Sequence, residues 1–203
     1  ALLIALYVLV RFGDGWSPGG DTGRFTIRTR ALLGSASVVP EKSYPHGYGF
    51  QALLVFLVHL SGSGLTVLQV HAGVLLLAWT IFPAWLLYRE LTASTGGALI
   101  ATLILLIQPE LLFALLRGTH EKFTRGLMLL CLYALFRSLR SRDNLPRFGA
   151  FVLALYVAAY AIMAFNNLMA TSLFAAVGAA LLLSWGSLRT GASSFRAADP
   201  PAH

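Results

Sequence analysis

Apolar and polar positions alternate along this chain in long blocks, not with the short periods of amphipathic elements. Continuous apolar runs occupy residues 65–88, 97–116, 121–139, 148–165 and 168–187. Each approaches the roughly twenty residues that an α-helix needs to cross the hydrocarbon core of a bilayer, so each predicts a transmembrane helix. Two shorter runs fit less simply. Residues 1–12, "ALLIALYVLVRF", are too few to span and lack a signal-peptide cleavage site, so they read as the end of a first helix. Residues 48–60, "YGFQALLVFLVHL", have the length of an interfacial or re-entrant helix. Between these two runs lies a stretch of charge, glycine and proline that includes "DTGRFTIRTR" and "YPHGYGF". The pattern predicts an all-α integral membrane protein, a polytopic bundle of about six transmembrane helices. A long external first loop at 13–64 contains the interfacial helix, and a polar cytoplasmic tail occupies 188–203. The missing start of the first helix leads us to expect that the chain is part of a longer one.

Composition supports this class. Only 11% of the residues are charged, against roughly a quarter in soluble domains. Fifteen Lys and Arg against eight acids give a formal net charge of +7. The bases lie in short loops between apolar runs, so membrane topology and anionic membrane lipid account for them, and no nucleic-acid partner is expected. The single cysteine, Cys131, excludes an intrachain disulfide framework and a multi-cysteine zinc site.

Charge also orients the expected bundle. The densest basic loop, "RSLRSRDNLPR", belongs on the cytoplasmic side. Counting back from it places 13–64, the turn "LRGTHEKFTR" and "FNN" together on the outside, if 48–60 does not cross. A crossing 48–60 would instead require the N-terminus to begin outside. The outer loop itself carries Arg11, Arg24, Arg28, Arg30 and Lys42, against the positive-inside trend, and an anionic substrate is one reason for bases there.

Three places on that outer face concentrate polar chemistry. They are the long loop (Asp14, Asp21, Arg24, Arg28, Arg30, Glu41, Lys42, His46), the short turn (Arg117, His120, Glu121, Lys122, Arg125) and the pair Asn166–Asn167. Carboxylates there suit either of two tasks, holding a hard divalent cation or acting as general base. Arg and Lys suit phosphate or pyrophosphate oxygens. Every one of these side chains is also what a solvated loop would carry. His59 and His71, inside apolar runs, read as structural. Glu110 within "QPE" is a carboxylate in an expected span, which marks a pathway or a partner, while Pro109 is placed to end or kink that helix.

The order of these motifs resembles the N-terminal part of the membrane-embedded GT-C glycosyltransferases, above all the catalytic subunit of oligosaccharyltransferase. "DTGRFTIRTRALLG" looks like the element of the first external loop that carries a catalytic Asp, which selects Asp21 over Asp14. "YPHGYGFQALLVFL" resembles the segment that opens the loop's membrane-hugging helix. "PELLFALLRGTHEKF" resembles the approach to a second external loop with an acidic pair. Glu121 matches the first acid, and Phe123 stands where the second would be.

The resemblance implies transfer of a sugar from a polyprenyl-phosphate or polyprenyl-pyrophosphate donor to a glycan or protein acceptor on the outer face of the plasma membrane. Asp21 and Glu121 would be catalytic. Lys122, Arg125, Arg117 and Arg24 would bind the donor phosphate. A divalent cation (Mg or Mn) would be held by Asp21, Glu121 and His120, although the broken acidic pair also fits a branch without a tightly held metal. The rival readings are a non-enzymatic membrane subunit that binds a partner or lipid, and a transporter fragment with Glu110 in its path.

Overall fold

The computed structural model describes residues 21–35, 48–71 and 77–189. The expected end of a first helix at 1–12, the loop residues Asp14, Glu41, Lys42 and His46, and the tail from 190 lie outside the described residues. Every described element is helical, and the described residues contain no strand.

The first described helix, α1 (Asp21–Leu33), ends at Gly34, whose amide donates to the Arg30 carbonyl at 3.1 Å. Helix α2 (Gly49–Ser61) covers the run expected to lie at the interface. It stops at Gly62, whose φ of 65° is left-handed and whose amide donates to the Val58 carbonyl at 2.9 Å. A residue without Cβ is suited to that position. A π-helical turn at Val67–His71 follows.

Helix α3 (Leu77–Thr92) and helix α4 (Thr95–Leu106) form a hairpin. Ser94 caps α4 by accepting from the Gly97 amide at 3.2 Å. Here the structure departs from the expected span at 97–116, which is two helices: α4 ends at Leu106 and α5 (Pro109–Leu116) begins anew. The cause is Pro109. It has no amide hydrogen to extend α4, and it holds Gln108 in an extended conformation with ψ 125°. The expected span at 65–88 contains the π-helical turn.

Helices α6 (Glu121–Arg140) and α7 (Leu145–Phe165) are the longest antiparallel pair, joined by a short turn at 141–144. Asn144 caps α7 by accepting from the Arg147 amide at 3.2 Å. Helix α8 (Asn167–Arg189) comes next. The chain divides into two compact units, one up to Ala170 and one from Thr171 onward; the second holds the greater part of α8, with Leu181, Leu182 and Leu183 exposed.

Within the first unit α6 is the central helix and packs on α3, α5 and α7, while α2 packs on α1 and α7. Phe25, Phe50, Leu54 and Leu65 form a buried core, with Phe123 and Phe165 packed against it. The rings form a chain, edge to face for Phe25–Phe50 with centroids 5.5 Å apart, and tilted for Phe50–Phe123 at 5.9 Å and Phe123–Phe165 at 5.6 Å. Phe123, where the resembled family has a second acid, is therefore a packing residue.

Among the described residues one helix, α7, is long and apolar enough by itself to cross a membrane. Helix α6 has the length, but Glu121, Lys122, Arg125, Arg137 and Arg140 cluster at its two ends.

Candidate functional site

One end of the first unit gathers polar groups from four segments that are distant in sequence. Helix α1 presents Thr22, Phe25, Thr26 and Thr29, at helical spacing, to the interior, and all four are buried. Threonines on a packed helical face need acceptors, and these find them. The Thr29 hydroxyl donates to the Phe25 carbonyl at 2.8 Å. That of Thr26 lies 2.8 Å from the Thr22 carbonyl and 2.9 Å from Gln69 Oε1, and serves one or the other.

Gln69, in the π-helical turn, is the hub of the cluster. It is 1% exposed. Its Nε2 donates to the Thr22 carbonyl at 3.2 Å and to the Gly118 carbonyl at 2.6 Å. The Gly118 amide in turn donates to Thr22 Oγ1 at 3.1 Å. The first turn of α1 is thereby fastened to the 117–120 turn. Only glycine fits at 118, because a Cβ there would lie 2.6 Å from Thr22 Cγ2 and 3.0 Å from Gln69 Cγ.

His120 follows, buried between Phe25, with ring centroids 4.9 Å apart, and Asn166. Asn166 Oδ1 accepts from the Met169 amide at 3.2 Å and so caps α8. That bond fixes the amide orientation and turns Nδ2 toward His120 Nε2, 2.6 Å away. Since Nδ2 can only donate, Nε2 must accept, which assigns the proton of the neutral ring to Nδ1.

The candidate residues fall around this cluster in unequal ways. Asp21 opens α1 beside Thr22; its side chain lies outside what is described. Glu121, half-buried, opens α6 three residues after Gly118. Lys122 is 1% exposed and its Nζ donates to the Gln69 carbonyl at 3.1 Å, so its charge is directed into the protein. Arg125 pairs with Glu110 at 3.1 Å. The Arg117 guanidinium lies over the Phe113 ring, 4.9 Å from its centroid. Arg24 and Arg28 are exposed, on the face of α1 opposite the threonines.

Of the proposed cation set Asp21, Glu121 and His120, His120 turns its Nε2 to the Asn166 amide. Among the described residues no three His, Cys, Asp or Glu side chains come together as a metal site.

Sequence reasoning missed Gln69 and the threonine face. Thr22, Thr26 and Thr29 carry a legible signal, the i, i+4, i+7 spacing of one helical face. A lone glutamine in an apolar run does not announce its partners. Comparison of the chain with protein-family models, curated proteins and solved structures yields no match.

Proposed function

We propose that this chain is a multi-pass membrane protein of the GT-C type, transferring a sugar from a polyprenyl-phosphate or polyprenyl-pyrophosphate carrier to an acceptor at the outer surface. The observation that carries the reading is the fastening of α1 to the 117–120 turn through Thr22, Gln69 and Gly118. It brings the helix that Asp21 opens to the turn that leads into Glu121. Two segments almost a hundred residues apart thus converge at one end of a helical bundle, which is the layout that a lipid-borne substrate needs. The carrier's tail would lie among helices while its phosphate meets polar groups at their ends.

Apolar surface supports the membrane half of the reading. Leu99, Ile100, Leu103, Ile104 and Ile107 on and just after α4 are all at least half exposed, as are Leu153, Tyr156, Val157, Tyr160 and Met163 on α7. Contiguous rows of this kind suit lipid and not water.

In this reading Asp21 acts as general base toward the acceptor. Glu121 orients the reacting groups, and Arg117 and Arg125 offset charge developing on the leaving phosphate. Lys122 holds the 67–71 turn in place and acts as a positioning residue.

The test is release of labelled sugar from a polyprenyl-phosphate-linked donor by purified protein in detergent. Wild type turns over, and Asp21→Ala and Glu121→Gln fold but do not. An inert wild type, or unimpaired variants, contradicts the proposal. One observation favours a second reading, a non-enzymatic membrane subunit: Lys122 and Arg125 are both engaged by the protein's own groups. That reading predicts donor-independent behaviour in the same assay.

A further inference from the structure

At the far end of α6 the chemistry is of a different kind. The helix from Glu121 to Arg140 has 20 residues, a rise of about 30 Å, which is close to the thickness of a hydrocarbon core. Here the last turns of α3 and α6, the 141–144 turn and the first turn of α7 carry Arg89, Arg137, Arg140, Arg142 and Arg147. The acids at this end are Glu90 and Asp143.

Glu90, with its side chain only 16% exposed, is shared. Its Oε1 accepts from Arg137 at 3.0 Å and its Oε2 from Arg140 at 2.9 Å. One carboxylate between two guanidiniums leaves a net positive charge in a fixed place. The Arg140 side chain remains 59% exposed, with donors beyond the one used on Glu90. Arg89 lies over the Trp85 ring, 5.2 Å from its centroid.

We infer that this end is a binding surface for anionic phospholipid headgroups. It goes beyond the transferase reading, and it rests only on the membrane half of that proposal. Charge alone would suit any polyanion, including a single-stranded nucleic acid. The residues between the arginines decide in favour of lipid. Leu91 is 51% exposed, Leu139 54% and Leu145 77%. A nucleic acid bound to the guanidiniums would leave these leucines in water. A phospholipid offers phosphate to the arginines and, just beneath it, acyl chain to the leucines. Trp85 and Tyr88, in the last turns of α3, are the residue types that lie at the level of headgroups.

The experiment leaves the Glu90 clamp intact. Wild type and the variants Arg142→Gln, Arg147→Gln and Arg142→Gln/Arg147→Gln are purified in neutral detergent. Their melting temperatures are followed as phosphatidylglycerol or phosphatidylcholine is added. Phosphatidylglycerol is expected to raise the wild-type melting temperature and phosphatidylcholine not. The phosphatidylglycerol needed for half the effect should rise about five-fold for each arginine removed. Equal responses to both lipids, or variants that respond as wild type does, overturn the inference. A single-stranded oligonucleotide that stabilises the protein through the same arginines, as strongly as phosphatidylglycerol does, also overturns it. Extraction of vesicle-reconstituted protein with alkaline carbonate separates the two failures. Release from the vesicles overturns the membrane reading and this inference with it, whereas retention without a lipid preference overturns this inference alone.

Discussion

At the scale of single residues, the junction between α1 and the 117–120 turn depends on side chains that have one fitting arrangement each. Gly118→Ala would force its new methyl group to within 2.6 Å of Thr22 Cγ2. Moving Thr22 or the turn to relieve this breaks the bond between them, so a loss of about 1–3 kcal/mol in unfolding free energy is expected, read from denaturant or thermal melts. Gln69→Leu keeps the volume but leaves the Gly118 carbonyl without its donor, while the Thr26 hydroxyl still serves the Thr22 carbonyl. It should cost about 1–3 kcal/mol.

Lys122 behaves differently. Its buried ammonium has a neutral carbonyl as its hydrogen-bond acceptor, so Lys122→Met is expected to leave the melting temperature unchanged or to raise it. A clear drop on that substitution would show that the bond to the Gln69 carbonyl outweighs the cost of burying the charge. Little of this was legible in the sequence. A glutamine in an apolar run looks like any tolerated polar residue, and the groups that satisfy Gln69 lie 47 and 49 residues away. Phe123 was legible as a departure from an acidic pattern, but its role in packing Phe50 against Phe165 follows only from the fold.

At the scale of elements, block periodicity marks where helices run, while backbone chemistry decides where they stop. The run at 97–116 looks continuous in hydropathy, yet Pro109 divides it, and Pro109 is a signal that the sequence carries openly. The π-helical turn at 67–71 carries no such signal, because no proline stands within or beside it. The orientation of α1 was partly legible. The spacing of Arg24 and Arg28 puts them on one face, and the buried threonines identify that face as the outward one.

Helix–helix fit then depends on close approach. A Cβ on Gly126 of α6 would lie 2.6 Å from the Trp79 indole of α3. At the other end of the same helix pair, Glu90 holds Arg137 and Arg140. Glu90→Gln removes the charge from both bonds while nearly preserving shape. Because both arginines are partly exposed, we expect a loss of only about 1 kcal/mol, and one that shrinks as salt is added. A loss independent of salt would assign the effect to packing.

At the scale of the whole molecule, the all-helical architecture was legible in apolar run length, which registers helix and bilayer thickness together. The number of membrane crossings was not. Run length cannot separate a spanning helix from two shorter ones in succession, and α7 is the one described helix that meets length and composition by itself. The candidate site was legible as a set of loops but not as a set of roles. Burial directs Lys122 inward and Arg125 pairs with Glu110, while the shared role proposed for Asp21 and Glu121 rests on the approach of α1 to the 117–120 turn.

The central claim is that these two carboxylates work in one site, and a double-mutant cycle on turnover addresses it directly. Release of sugar from a polyprenyl-phosphate-linked donor is measured for wild type, Asp21→Ala, Glu121→Gln and the double variant. Each single substitution should slow release by about 10²–10⁴-fold. The double variant should be slowed little more than the worse single one, because residues that act as a unit do not add. Fully multiplicative losses would place the two carboxylates in separate sites, and unimpaired single variants would remove them from the chemistry altogether.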